Sequence, residues 1–350
     1  MTSRVPKLAV LTILLCANVA GAQSRPSGSG PLAATSGLPG GSNSAGGNQT
    51  GETLLRSAVA AMDSHQAVSA KLRQQVDLFG HRLVGSGGYL QQGRGEGRLL
   101  RLELKIQVED QVSSLQQVCD GRYLWMHQDL LGKNSLGKID VRRVQRAWRE
   151  TRGVSTGPPT GLLALGGLPQ LLTNLNDGFN FRSVTESKLD GLSVWTLQGE
   201  WEKSRLVEML PDQKAKLEAG QPADLSRLAP QVPERVTIML GRDDLFPYRI
   251  EYARRPPLDP KQPEVLGEMK QIVLLELFEV QLNVPADPRQ FVYNPGGLEA
   301  IDQTAAFLKS LNLDLGAESE PVTPAKSTTR PIPLIEGTPP EAGRLVPIRR

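Results

Sequence analysis

Residues 101–108 read Arg-Leu-Glu-Leu-Lys-Ile-Gln-Val, with every even position apolar and every odd position polar. Successive side chains on a strand point to opposite sides. Leu102, Leu104, Ile106 and Val108 therefore share one surface, and Arg101, Glu103, Lys105 and Gln107 share the other. This pattern belongs to an antiparallel sheet that is wet on one face, because parallel strands between helices read as nearly continuous apolar runs. Such a sheet needs a second layer over its apolar face. The rest of the chain has to supply more strands and that cover.

The strands come in two groups. A helix is predicted over residues 52–64, with Leu55, Val59 and Met62 on one face. Residues 68–79 read as a strand, Gly85-Ser86-Gly87-Gly88 as a turn, and residues 89–92 as a strand returning through 93–97 into 101–108. Asp120-Gly121 and Asp190-Gly191 each lie between apolar runs, at 115–119 and 122–127 and at 180–186 and 192–201, and Asp-Gly in that setting signals a hairpin. Residues 235–241 and 248–254 pair through Asp243-Asp244. The longest strand, 270–284, changes phase: Val273, Leu275 and Leu277 alternate in one register, then Phe278, Val280, Leu282 and Val284 in the other. A bulge near Leu277, or burial on both faces, would explain the change. A last helix is expected to carry Leu298, Ile301, Ala305 and Leu308.

The ends differ from this middle. Arg4 and Lys7, a short apolar run at 8–15 and Ala20-Gly21-Ala22 read as a cleavable signal peptide, cut after Ala22 and directing the protein to the periplasm. Leu15 stands where a lipoprotein signal needs a small residue, so Cys16 is not expected to carry a lipid. Residues 23–51 are rich in Gly, Ser and Pro and are expected to be a disordered linker, with residues 316–350 a disordered Pro-rich tail. The folded domain is placed at 52–315, with the charged, Pro-bounded stretch 203–233 as an exposed insertion. The 350-residue chain carries a formal charge of +3, which falls to +1 without Arg4 and Lys7. A near-neutral protein gives no argument for a nucleic-acid partner. Cleavage would leave Cys119 as the sole thiol, so the fold must stand without an intramolecular disulfide. Its bland reading is a small buried hydrophobe on a strand; the sharper one is an intermolecular bridge or redox sensor.

Two segments qualify as the cover. Val141, Val144 and Trp148 form one side of a short helix whose other side carries Arg142, Arg143, Arg146 and Arg149, either a solvated face or a peripheral membrane contact. Residues 153–176 contain no charge and are rich in leucine: Leu162, Leu163, Leu165, Leu168, Leu171, Leu172 and Leu175. Gly161, Gly166, Gly167, Pro158, Pro159 and Pro169 break the run. It is too broken to span a membrane, and no segment after residue 22 offers about 20 consecutive apolar residues. Short helices lying over an apolar surface fit it, either as a buried core pair or as a mobile lid over a lipid-sized cavity.

No reaction chemistry emerges. His65, His81 and His127 are isolated, with no second ligand at metal-binding spacing. There is no Gly-x-Ser-x-Gly elbow or phosphate-cradling loop, and Gly93-x-Gly95-x-Gly97 joins strand to strand, outside the dinucleotide context. The protein is expected not to be an enzyme and to need no cofactor or metal.

Three local sequences resemble the LolA-like family of periplasmic lipoprotein carriers and outer-membrane lipoprotein-sorting proteins. They are Val-Cys-Asp-Gly-Arg-Tyr-Leu-Trp at 118–125, Leu-Asp-Gly-Leu-Ser-Val-Trp at 189–195, and Phe-Val-Tyr-Asn-Pro-Gly-Gly at 291–297 followed by Ile301-Asp302-Gln303-Thr304. In order and spacing they resemble the family over about 52–312. The resemblance implies an α+β fold: an incomplete antiparallel β-barrel, that is, a strongly curved sheet, with helices covering its apolar concave face. It implies a cavity for acyl chains lined by Leu102, Leu104, Ile106, Val108, Leu124, Trp125, Leu162, Leu165, Leu168 and Leu172. Carriers of the family hold their lid with an arginine inside the cavity, and Arg82, Arg98 and Arg101 are the candidates here. The expected partner is an acyl lipid or lipoprotein, bound by a monomer. The rival is an envelope interaction or sensor module on the same fold, with a packed interior and a protein partner. Aromatic residues make up 5% of the chain, too few to plug a large cavity, which favours the open one.

Overall fold

The structure is a computed structural model that describes residues 50–78, 81–108, 111–130, 132–152, 163–256, 267–311 and 313. The expected signal peptide and Pro-rich tail lie outside the described residues, as does all but the last two residues of the expected linker.

The chain opens with helix α1 (Gly51–Ser64) and continues through six strands, β1 (Ala67–Leu78), β2 (His81–Gln92), β3 (Leu99–Val108), β4 (Gln111–Cys119), β5 (Tyr123–Leu130) and β6 (Lys133–Asp140). Two helices follow, α2 (Val141–Arg152) and α3 (Leu163–Gly178). A second group of strands comprises β7 (Phe179–Leu189), β8 (Leu192–Trp201), β9 (Arg235–Gly241), β10 (Pro247–Arg254) and β11 (Lys270–Leu282). Between β8 and β9 lie the short helices α4 (Lys203–Met209) and α5 (Lys214–Glu218), and the chain closes with β12 (Ile301–Asp302) and α6 (Thr304–Ser310). All twelve strands form one curved, unclosed sheet in the order β12-β6-β5-β4-β3-β2-β1-β11-β10-β9-β8-β7. Each group of strands is an antiparallel meander, and the two are joined where β1 pairs with β11. Among the described residues, the one parallel pair is β12 on β6.

The alternation in β3 is realised as expected, with Leu102, Leu104 and Ile106 buried and Glu103, Lys105 and Gln107 exposed. The phase change in β11 is a bulge just after Phe278: the register against β1 shifts between Ser69 and Lys71, with Glu279 in the left-handed region at φ 49°. Leu282, opposite Val68, therefore joins the face of Leu277, while Phe278, opposite Lys71, stays on the other. One extra residue on one strand turns every later side chain to the other face.

Two expectations are corrected. Gly85-Ser86-Gly87-Gly88 is not a turn but the middle of β2. A Cβ on Gly87 would stand 1.8 Å from the Glu103 carbonyl oxygen of β3. Glycine here serves a close approach between backbones, not a change of direction. The last helix is also shorter than expected, starting at Thr304, so Leu298 and Ile301 lie outside it. Ile301 instead pairs with Gly137 of β6. The helix then starts where Asp302 Oδ1 accepts from the Thr304 amide at 2.9 Å, an Asx-type turn that favours helix initiation.

The stretch 203–233 is not wholly exposed: Leu210, Leu217 and Leu228 within it are buried. Arg254 of β10 ties it to the sheet, donating to the carbonyls of Leu228 at 2.8 Å and Val232 at 2.9 Å.

Candidate functional site

One face of the sheet is covered by α1 and α3, which pack on each other and, between them, on β3, β4 and β7. Residues directly opposite in an antiparallel pair share a face. The register therefore places Tyr89, Leu102 and Gln117 in one row on this inner face, with Gln91, Leu100 and Cys119 in the next.

The predicted site residues divide. Leu102, Leu104, Ile106 and Leu124 lie on the inner face of β3 and β5 and are buried, and Leu165, Leu168 and Leu172 are buried on α3. Trp125 belongs on the other face: it is adjacent to Leu124 on the same strand, so the pleat turns it outward. There it stacks on Tyr293, ring centroids 5.6 Å apart, and its Nε1 donates to Asp120 Oδ2 at 3.3 Å. Leu162 and the side chain of Val108 lie outside what is described.

α3 is not a continuous helix. Gly167 interrupts it at φ 71° and ψ −169°, and Pro169 follows within the next turn. The left-handed φ is one that a side chain seldom tolerates, and there is no room for a Cβ: it would lie 2.5 Å from Gln91 Oε1 and 3.0 Å from the Tyr89 hydroxyl. The break is held by polar groups that come from the sheet. The Leu168 amide donates to Tyr89 Oη at 3.1 Å, and Tyr89 Oη donates to Gln91 Oε1 at 2.6 Å. Arg98, in the loop before β3, donates through Nη1 to the Gly166 carbonyl at 2.7 Å, and its Nη2 pairs with Asp63 near the end of α1. One buried guanidinium thus connects both helices to the sheet.

Of the three candidate arginines, Arg98 is the one bonded to α3. Among the described residues, Arg82 donates to Gln75 Oε1 at 3.2 Å on the exposed side. Arg101 lies on the outer face, bonded to Glu103 and to the Gln290 carbonyl at 2.7 Å. Arg98 is 8% exposed and its bond to the Gly166 carbonyl is shielded from water, whereas its partner Asp63 is 54% exposed and that pair is screened like a surface one.

Burial sets the protonation of the neighbours. It pushes the Tyr89 hydroxyl well above the ordinary phenolic value, against the opposing effects of the Leu168 amide and Arg98. The phenol therefore keeps its proton and remains a donor to Gln91. Burial likewise raises the Cys119 thiol to about 11, with nearby Asp120 adding to the rise against the Gly121 backbone. A thiol this reluctant to ionise behaves as a small core residue and not as a nucleophile.

Tyr89, Gln91 and Asp63 were not legible as site residues. The available signal was Gln91 itself, a polar residue in the apolar phase of a strand. On α2, Val141, Val144 and Ala147 turn inward while Arg142, Arg146 and Arg149 stay exposed, and Arg149 pairs with Glu96. Among the described residues, no helix is long and apolar enough to cross a membrane.

No family model matches the sequence, and no curated protein matches it. Among solved structures, LprF of Mycobacterium bovis aligns over 70% of this chain and 96% of its own, at 10% identity and a TM-score of 0.33. Lipoprotein LppX of Mycobacterium tuberculosis aligns over 67% and 96%, at 13% identity and 0.33. A LolA-superfamily protein of Nitrosomonas europaea aligns over 70% and 98%, at 11% identity and 0.26.

Proposed function

We propose that this is a non-enzymatic binding protein of the periplasm that holds acyl chains, free or on a lipoprotein, between the inner face of the sheet and α3. The observation that carries this reading is the latch: a helix lying over an apolar sheet is broken at Gly167 and pinned there by Tyr89 and Arg98. A helix meant only to fill a core is held by its apolar stripe and has no need of a kink fastened by a buried guanidinium. In the closed arrangement Leu102, Leu104, Leu168 and Leu172 are almost fully buried, so an acyl chain enters as α3 lifts. Each methylene taken from water returns about 0.8 kcal/mol, and a modest chain offsets the loss of a few hydrogen bonds.

The test is uptake of a fluorescent fatty-acyl probe by the full chain. Saturable binding is expected, abolished by Leu104→Arg, with release about tenfold faster in Arg98→Leu. A folded protein that takes up no probe would move the reading to the rival interaction module, in which the same interior is a permanent core and the partner is an envelope protein.

A further inference from the structure

The latch does not use every polar atom around the kink. Tyr89 Oη accepts from the Leu168 amide, so its own proton goes to Gln91 Oε1. That bond fixes which end of the Gln91 amide faces Tyr89 and turns Nε2 away from it. Gln91 is 1% exposed, and Nε2 has no partner among the described residues. Arg98 commits Nη1 to Gly166 and Nη2 to Asp63, which leaves Nε buried and also without a partner. Both side chains lie beside the break: a Cβ at Gly167 would stand 2.5 Å from Gln91 Oε1 and 3.3 Å from Arg98 Cδ.

Buried polar groups are almost always satisfied, and a buried donor without an acceptor opposes the fold that contains it. Two such donors lie beside the break in the covering helix, on a face that also buries Gln117 opposite Leu102. Neither can accept a hydrogen bond through these atoms, so together they select an acceptor. The apolar row continues from this point: Gln91 lies opposite Leu100 and Val68, and Tyr89 lies opposite Leu102 and Ala70.

Resting on the acyl-binding reading above, we propose that Gln91 Nε2 and Arg98 Nε form a head subsite for the acceptor oxygen of an acyl group, an ester carbonyl or a carboxylate. The chain then extends over Leu100 and Leu102. The subsite makes the protein selective for acylated molecules over plain hydrocarbon, which an apolar cleft alone would not do.

The test measures displacement of a fluorescent fatty-acyl probe from the full chain by laurate, methyl laurate and dodecane. Gln91→Leu is expected to weaken laurate and methyl laurate by about tenfold while leaving dodecane unchanged. An effect on both acyl ligands assigns an ester-compatible carbonyl subsite, and an effect on laurate alone assigns a carboxylate subsite. A second measurement needs no variant: the infrared carbonyl band of bound ¹³C-labelled methyl laurate is expected at the lower frequency of a hydrogen-bonded ester. If Gln91→Leu leaves all three ligands unchanged, or weakens dodecane equally, and the band keeps its apolar-solvent position, the subsite is overturned and acyl binding stands. If wild-type protein releases no probe to any of the three, the acyl-binding reading fails, and the subsite fails with it.

Discussion

The two helices over the inner face are held in different ways. α1 is a conventional amphipathic helix. Thr50 caps it, its hydroxyl accepting from the Thr53 amide at 3.3 Å, and Leu54, Leu55, Ala58 and Met62 are buried at helical spacing. Local sequence and an apolar stripe are enough to place it. α3 has a glycine at positive φ, a proline within it and no acidic residue in its first turn or basic residue in its last. It too buries Leu165, Leu168, Leu172 and Leu175, but its break is pinned by Tyr89 and Arg98, which lie far from it in sequence. A layer fastened by packing opens only when the domain unfolds, whereas one fastened by a few hydrogen bonds can open while the rest stays folded. On the proposed reading α3 is the half of the cover that opens.

Truncation should break the fixed half. Leu55 is fully buried, and Leu55→Ala should lower global stability by about 3 kcal/mol, read as a reduced urea midpoint at unchanged slope. A loss confined to α1 amides would show that α1 too is a separable cover.

Cys119 probes the inner face through pH. Its thiol keeps its proton up to about 11 in the folded state, against an ordinary 9.0 in the unfolded chain. Below 9.0 both states are protonated, and the thiol contributes no pH dependence. As pH rises from 9.0 towards 11 the unfolded chain ionises first, so stability is lost across that window and the loss is complete above it. The full effect is about 2.5 kcal/mol. The stability difference between wild type and Cys119→Ala should shrink by that amount between pH 9 and 11; a constant difference would place the thiol in contact with water.

Arg98→Leu should cost about 2 kcal/mol, concentrated in α3. Hydrogen exchange of α3 amides should accelerate while those of α1 hold, and equal acceleration in both helices would remove the distinction between them. The smallest effect belongs to the cap: Thr50→Ala should cost about 1 kcal/mol, seen as fraying of the first turn of α1 with α3 unchanged.

Strands with one wet face were legible because their period is written in single residues, as in β3 and β8. β2 was not, since Gly85 and Gly87 look like turn residues until β3 is seen packed against them. The need for glycine at 87 comes from the Glu103 carbonyl, a long-range fact. The same holds for the latch: Arg98 is 68 residues from Gly166 and Tyr89 is 79 from Leu168. The motif resemblance predicted that an arginine would hold the lid, but three candidates were equivalent until the register put Arg101 on the outer face. Trp125 was misassigned because a motif joins Leu124 and Trp125 as neighbours, while the pleat separates them to opposite faces.

The most direct measurement is native mass spectrometry of the protein purified from its native host, followed by organic extraction and lipid analysis. A stoichiometric acyl-bearing adduct, absent from folded Leu104→Arg protein, is the expected result. A bare polypeptide mass, with no acyl species in the extract, would contradict acyl binding beneath α3.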